Sequence, residues 1–366
     1  MYFVENDTNR QPVYIIAEAG VNHNGSVEIA KELVNTAVKA GADAVKFQTF
    51  RAEKLVSRTA LKADYQKMTT GSEGSQLEML KKLELTYSDH RILYEYCNQA
   101  GIEFLSTPFD IESLGFLTTQ IGLNTIKISS GDITNLPLLY ETAGTGAKII
   151  LSSGISTLGT LEDALGAIAL GYTLYEGNPT VKGMEEAYYS RAGQEMLRAK
   201  VTLLHCTTDY PTQYNDVHLN KMLTMKRAFG LPVGYSDHTI GLEISLAAVA
   251  MGAEVIEKHF TLDKQMEGPD HKASIEPEEL TRLVKQIRNI EQSLGIFTKI
   301  PAFSEMKNAH AARKSVVAAK TIQQGEIFSK DNLTIKRPGN GYPPSSYWAL
   351  LGRKAEKTFE ADDLIE

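Results

Sequence analysis

Two histidines stand where an ion could be held: His238 in Ser236-Asp237-His238-Thr239 and His259 in Glu257-Lys258-His259-Phe260. Each closes a short apolar run. If the two runs are neighbouring strands of one sheet, their ends lie about 5 Å apart and both imidazoles reach a single ion. No third histidine or cysteine stands in register, so such a site is open and completed by water or substrate oxygens. Mixed nitrogen and oxygen coordination suits Mn²⁺ or Mg²⁺ better than a closed zinc cage. On residue types alone, two structural histidines explain the pair equally well.

Other strand ends carry anion chemistry. Lys46 and Gln48 point to the same face of their run, because side chains along a strand alternate with period two. A lysine flanked by apolar residues either pairs with a carboxylate or awaits an anionic ligand, and Lys127 poses the same choice. Ser130, Ser152 and Ser236 are small hydroxyl donors, and Gly131, Gly154 and Gly234 let the backbone come close. Taken as a set, they would cradle a phosphate or a carboxylate. Glu18, at the end of Tyr14-Ile15-Ile16-Ala17-Glu18, is partly desolvated, which raises a carboxyl pKa toward the range of general acid/base work. An ion pair with one of the lysines is the competing explanation. Asp270, in Gly268-Pro269-Asp270-His271, is a candidate to assist a metal or bind hydroxyls.

These residues need a frame that gathers them. Between Val13 and about Leu294 the chain alternates short apolar runs with amphipathic stretches. The runs are 13–20, 43–50, 103–109, 125–132, 148–154, 201–207, 233–239 and 255–261. Most are β-branched, as strands covered on both faces must be. Helical patterns lie between them, and three end in a glycine that leads straight into a strand: Gly41, Gly101 and Gly252. Such a rhythm means a parallel sheet. Nearly every run ends in a polar residue, Thr107, Asp132 and His205 included, and a (β/α)8 barrel brings all strand ends to one mouth. A doubly wound sheet would gather only some of them.

Residues 171–200 break the rhythm and read as a charged surface insertion, with a helix over Met184–Lys200. The expected domains are a TIM barrel over 1–294, an irregular linker over 295–309 and a small β-rich module over 310–366. That module is too short to be very stable alone.

Composition agrees with a soluble globular protein. Of 366 residues, 42% are hydrophobic and 23% charged, ordinary for a chain with a large core. The net charge of -7 argues against a general nucleic-acid binder. Cys97 and Cys206 are too few and too far apart for a disulfide scaffold, and read as small apolar residues in a reducing compartment. No apolar run approaches the roughly 20 residues of a membrane span, and Met1–Gln11 lacks an apolar signal region. A cytoplasmic protein is expected.

Eight collinear segments resemble the sialic acid synthase family: IIAEAGVNHNG (15–25), DAVKFQTF (43–50), FLSTPFD (104–110), KISSGDITNLP (127–137), LLHCTTDYP (203–211), GYSDHT (234–239), IEKHFTLD (256–263) and GPDHKAS (268–274). In the tail, ARKSVVAAKTIQQGE (312–326) and RPGNG (337–341) resemble the antifreeze-like (SAF) module that ends these synthases. The resemblance covers nearly the whole chain.

It implies a transferase that condenses phosphoenolpyruvate with an open-chain 2-acetamido sugar, giving a 3-deoxy-2-keto nonulosonic acid and phosphate. By match to the family pattern, Lys46, Thr107, Lys127, Ser130, Ser152 and Ser236 would hold phosphoenolpyruvate, and Glu18 would be the acid/base group that positions or activates water. A divalent metal, Mn²⁺ or Mg²⁺, on His238 and His259 would polarise the sugar aldehyde. Gln48, Asp132, Tyr210 and Asp270 would contact the sugar or metal-bound water. Arg337 would reach the partner's active site in a homodimer with swapped tails.

Asp132 stands where many members have glutamate, Thr208 where some have asparagine, and Pro211-Thr212-Gln213 replaces a common Pro-Ala-Pro. All three touch the sugar side, so the reaction is better determined than the acceptor. N-acetylmannosamine is the first expectation, and a 6-deoxy-2,4-diacetamido hexose, giving a legionaminic acid, the second. A synthase acting on a phosphorylated aldose would want another basic cluster, and none is visible beyond Arg337. A carbohydrate- or ice-binding protein without catalysis leaves the polar strand ends unexplained.

Overall fold

The computed structural model describes residues 11–71, 73–173 and 179–366, without the Tyr65 side chain. The barrel strands are β1 (Tyr14–Gly20), β2 (Ala44–Thr49), β3 (Glu103–Pro108), β4 (Thr125–Ile128), β5 (Lys148–Ser152), β6 (Val201–His205), β7 (Val233–Asp237) and β8 (Val255–His259). They form one parallel sheet in the order β3-β2-β1-β8-β7-β6-β5-β4. β3 and β4, at the two ends of that order, lie against each other and close the ring. This is the expected (β/α)8 barrel.

The helices are α1 (Val27–Ala40), α2 (Ala52–Leu55), α3 (Asp64–Thr70), α4 (Gln76–Leu83), α5 (Tyr87–Ala100), α6 (Ile111–Gly115), α7 (Leu136–Gly144), α8 (Leu158–Tyr172), α9 (Val181–Tyr189), α10 (Arg191–Lys200), α11 (Tyr214–Val217), α12 (Asn220–Phe229), α13 (Glu243–Ala250), α14 (Pro277–Leu294) and α15 (Phe303–Ala312). α1 shows how sequence sets their limits. Ser26 caps its start by accepting from Ile29 N, and Gly41 ends it at φ 80°, a left-handed conformation that costs a Cβ-bearing residue energy. The chain then enters β2.

Alternation sorts each strand into two faces. Ile15, Ala17, Val45, Phe47, Phe104, Ile149, Leu151, Leu203, Tyr235 and Ile256 pack outward under the helices. Ile16, Ala44, Leu105, Ile150, Leu204 and Val255 form a separate apolar plug inside the ring. Two residues further along each strand the inward face turns polar or sulfur-bearing: Glu18, Lys46, Thr107, Ser152, Cys206 and Glu257. That change of layer is the floor of the mouth.

The chain divides into two compact units, Met1–Gly295 and Ile296–Glu366. Within 171–200, residues 174–178 lie outside the described part. The segment's first two residues close α8, and from Val181 it forms two helices, α9 and α10, divided at Ser190, which caps α10 by accepting from Gly193 N. Both pack on α8, with Ala187 and Leu197 buried. The segment is therefore more integrated than a surface decoration, because its apolar stripe covers a barrel helix. The irregular stretch expected over 295–309 holds the first turns of α15, whose amphipathicity is too weak to stand out in sequence.

In the second unit β9 (Ser315–Ala318) pairs antiparallel with β10 (Leu333–Lys336). Its own core comprises Val316, Ala318, Ile322, Phe328, Leu333, Leu350, Ala355, Phe359 and Ile365. This is the expected small β-rich module. Among the described residues no helix is long and apolar enough to cross a membrane.

Candidate active site

Strand register gathers the polar layer. Glu18 on β1 pairs with both Lys46 of β2 and His259 of β8, Gln48 with Thr107, and Ser236 with Glu257. These residues, with Lys127, Ser130, Ser152, Tyr210, His238 and Asp270, line a cavity of about 410 Å³ at the C-terminal ends of the strands. Gly20 sits among them at φ 54°, and a Cβ there would lie 3.3 Å from Glu18 Oε1 and 3.5 Å from His259 Cε1.

The floor is a network of buried charge. Lys46 Nζ lies 2.7 Å from Glu18 Oε2 and 3.6 Å from Glu257 Oε2, while Lys127 Nζ lies 3.5 Å from Glu257 Oε1. Lys46 also donates to Thr107 Oγ1 at 3.2 Å, and Ser236 Oγ to Glu257 Oε1 at 2.8 Å. Burial pushes the Glu18 carboxyl up to about 7 despite Lys46 beside it, and the Glu257 carboxylate adds to the rise. Burial opposes charge on Glu257 as well, but Lys127 and Lys46 together hold its carboxylate well below the usual range. Burial also lowers Lys127, against the pull of Glu257. Two carboxylates a short distance apart are thus driven in opposite directions, which is how acid/base sites divide labour.

Ser152 Oγ is buried with no hydrogen-bond partner among the described residues. Ser130 Oγ accepts from Gly154 N at 3.0 Å. A Cβ at Gly154 would meet Thr208 Oγ1 at 2.1 Å and Ser130 Oγ at 2.7 Å, so only glycine lets these groups converge.

Beside this floor, the His238 and His259 ring centroids are 5.5 Å apart, and Tyr210 packs on His238 at 4.2 Å. His238 Nδ1 donates to Thr207 O at 2.7 Å, leaving Nε2 as the acceptor nitrogen. His259 Nδ1 is buried with no partner among the described residues. Burial lowers the pKa of both rings and so keeps them neutral, the form that binds metal; His238 further lowers His259. Burial pushes Asp270 up to about 6.

Behind the histidines, on the outward face, Asp237 and Lys258 form an ion pair of 2.9 Å with 0% and 1% side-chain exposure. Asp237 accepts from Thr239 N, Thr239 Oγ1 and Ser245 Oγ, and Lys258 donates to Thr239 O at 2.6 Å. The pair therefore pins the turn that carries His238 to the strand that carries His259. Asp237→Asn leaves Lys258 buried without a counter-charge, against an amide and the Thr239 carbonyl. We expect a loss of about 3–5 kcal/mol in urea unfolding, recovered in part by adding Lys258→Met. An unchanged unfolding midpoint would remove the pair from the supporting frame.

Most expected site residues line the cavity. Asp132 does not: its carboxylate accepts from Ser129 Oγ at 2.9 Å and Asn135 Nδ2 at 3.1 Å in the turn after β4. His205 points outward to Val217 O, because Cys206 takes the inward position on β6. Arg337 lies in the second unit, exposed, with Nε donating to Ala312 O at 3.0 Å. Sequence reasoning passed over Glu257, although the signal was present: it shares the β8 face with Val255 and His259.

Residues 33–299 match the NeuB family and residues 313–366 the SAF domain. The chain is 50% identical over 351 residues to the N,N'-diacetyllegionaminic acid synthase of Campylobacter jejuni, covering 96% of this chain and 98% of that protein. It is 35% identical over 358 residues to the human N-acetylneuraminate-9-phosphate synthase, covering 97% and 92%. Among solved structures, the N-acetylneuraminic acid synthetase of Leptospira borgpetersenii is similar with a TM-score of 0.66 and 33% identity, over 82% of this chain and 90% of that one.

Proposed function

This chain belongs to the NeuB family and ends in a SAF domain, and from that premise we propose that it joins phosphoenolpyruvate to an open-chain 6-deoxy-2,4-diacetamido hexose, making a diacetyllegionaminic acid and phosphate. The chain is a synthase of the nonulosonic acid type. Its acceptor is the finer step. The 50% identity to a diacetyllegionaminic acid synthase supports that sugar over N-acetylmannosamine, the first expectation from sequence.

One observation carries the chemistry: two buried lysines, Lys46 and Lys127, line one cavity with the Ser152 hydroxyl, which has no partner among the described residues, and with a pair of neutral histidines. Lys46, Lys127, Ser130, Ser152 and Ser236, with Thr107, hold the phosphate and carboxylate of phosphoenolpyruvate. Its approach exchanges their contacts with Glu18 and Glu257 for contacts to the ligand. Carbon 3 of phosphoenolpyruvate then bonds to the aldehyde carbon of the sugar, and water adds at carbon 2 before phosphate leaves. Glu18 takes one proton of that water, and the other leaves with the phosphate as the bond between carbon 2 and the phosphate oxygen breaks and carbon 2 becomes the ketone. Asp270, poised near neutrality, gives a proton to the former aldehyde oxygen, while Gln48 and Tyr210 orient the sugar.

The histidine pair fits a divalent ion. His238 Nε2 is an acceptor by tautomer, and both rings are neutral. Among the described residues no group of three or more His, Cys, Asp or Glu surrounds one point, so an ion held by His238 and His259 would take its remaining ligands from substrate and solvent oxygens. Mn²⁺ or Mg²⁺ held there supplies Lewis-acid polarisation of the aldehyde. Arg337 serves the active site of a second copy, which its exposure in the small module permits.

Phosphate release with phosphoenolpyruvate and Mn²⁺ over an acceptor panel tests the reading. The diacetamido 6-deoxy sugar should turn over fastest, N-acetylmannosamine more slowly, and its 6-phosphate hardly at all, because Lys46 and Lys127 are the cations among the described cavity residues. Preference for N-acetylmannosamine or its phosphate would overturn the acceptor assignment, and silence with every sugar would overturn the reaction.

A further inference from the structure

The described residues of 52–83, between β2 and α5, form one wall of the cavity. There α2 and α4 share a small apolar core built on Met79, Leu80 and Leu83. Val56, Met79 and Leu80 also face the cavity. Two glutamines interrupt this apolar wall, Gln66 at the start of α3 and Gln76 at the start of α4, and both line the cavity as well.

The glutamines are held in place. Gln66 Oε1 accepts from Ala63 N at 3.0 Å, which caps α3, and from Gln76 Nε2 at 3.3 Å. That bond fixes the Gln76 amide yet leaves it a second N–H and a carbonyl oxygen with two lone pairs. Thr69 Oγ1 donates to Pro269 O at 3.4 Å, so the wall is tied to the loop that carries Asp270. The glutamines therefore stand on the side of the mouth assigned to the sugar. The cations among the described cavity residues, Lys46 and Lys127, come from strands, and this wall contributes none.

A fixed amide bordered by methyl and thioether surface is the complement of an acetamido group, which brings its own N–H, carbonyl and methyl. A hydroxyl would match the amide but leave the apolar border unused; a phosphate would find no cation. We propose that Gln76, held by Gln66 and flanked by Val56, Met79 and Leu80, reads the second acetamido group of the acceptor. This rests on the diacetamido reading above.

Gln76→Leu keeps the bulk and removes the amide. With the diacetamido sugar, kcat/KM should fall about tenfold, the effect of one lost hydrogen bond that leaves a ligand amide unpaired. With N-acetylmannosamine the fall should be clearly smaller, because its hydroxyl at that place can turn to solvent and leaves no ligand amide unpaired. The KM for phosphoenolpyruvate should not move, which also reports that the variant is folded. If it does not fold, the shorter amide of Gln76→Asn should show the same selective loss. An equal fall with both acceptors, or no fall with the diacetamido sugar, overturns the subsite while the wild-type preference still stands. A wild-type enzyme that prefers N-acetylmannosamine overturns the reading beneath it, and the subsite with it.

Discussion

His238→Ala is expected to lower kcat by about 10³-fold or more while the barrel stays folded. The size follows from the role: an ion that polarises an aldehyde stabilises developing charge by several kcal/mol, and each 1.36 kcal/mol is about tenfold in rate. Folding should survive for a structural reason. The carbonyl of Thr207, which accepts from His238 Nδ1, also accepts from Thr212 Oγ1 at 3.3 Å, so the substitution leaves no orphaned backbone group there. Titration of the apo protein with Mn²⁺, followed by electron paramagnetic resonance, should show a bound ion in the wild type and weakened binding in the variant. Chelation of the wild type should abolish phosphate release and Mn²⁺ should restore it. Full activity in His238→Ala, or unchanged Mn²⁺ affinity, would leave the pair a structural one.

Glu18→Gln should lower kcat by about 10²–10⁴-fold, the usual worth of a positioned acid/base group. It should also change the pH profile. With its carboxyl pushed up to about 7, Glu18 is mostly protonated at pH 6 and mostly ionised at pH 8. A base is needed in its ionised form, so wild-type kcat/KM should fall about tenfold per unit below pH 7. The residual activity of Glu18→Gln should lack that limb.

Stability should move the opposite way to an ordinary paired carboxylate. The folded protein binds this proton more tightly than the unfolded chain does, so the contribution is present at low pH. It is lost as pH rises from the unfolded value of about 4.5 through 7. Glu18→Gln keeps a neutral side chain throughout, and its melting temperature should exceed or equal that of the wild type at pH 8. A wild-type profile flat from pH 6 to 8 would remove Glu18 from proton transfer.

Much of the site was legible in sequence because a barrel turns one-dimensional spacing into a ring. A polar residue two places beyond an inward apolar one must face the mouth, and Glu18, Lys46, Thr107 and Ser152 obey that rule after Ile16, Ala44, Leu105 and Ile150. The same rule gives Glu257 after Val255 and turns His205 outward, had the faces of β8 and β6 been followed residue by residue. Asp132 escaped it because β4 ends at Ile128 and a tight turn follows, where period two no longer holds. The linker helix α15 and the packing of α9 and α10 escaped because their apolar stripes are short.

By itself the sequence determined the strand–helix alternation, the closing glycines, the inward polar layer and the family motifs. These are local or periodic properties, written into neighbouring residues. The tertiary structure decided which carboxylate carries the proton. Glu18 and Glu257 are both buried glutamates at strand ends. Their difference arises from where Lys46 and Lys127 fall across four strands. The structure also decided which segment walls the cavity, since Gln66 and Gln76 reach it only when α3 and α4 fold back over the mouth. Charge coupling and cavity walls depend on distances between residues far apart in the chain, and those exist only in the folded barrel.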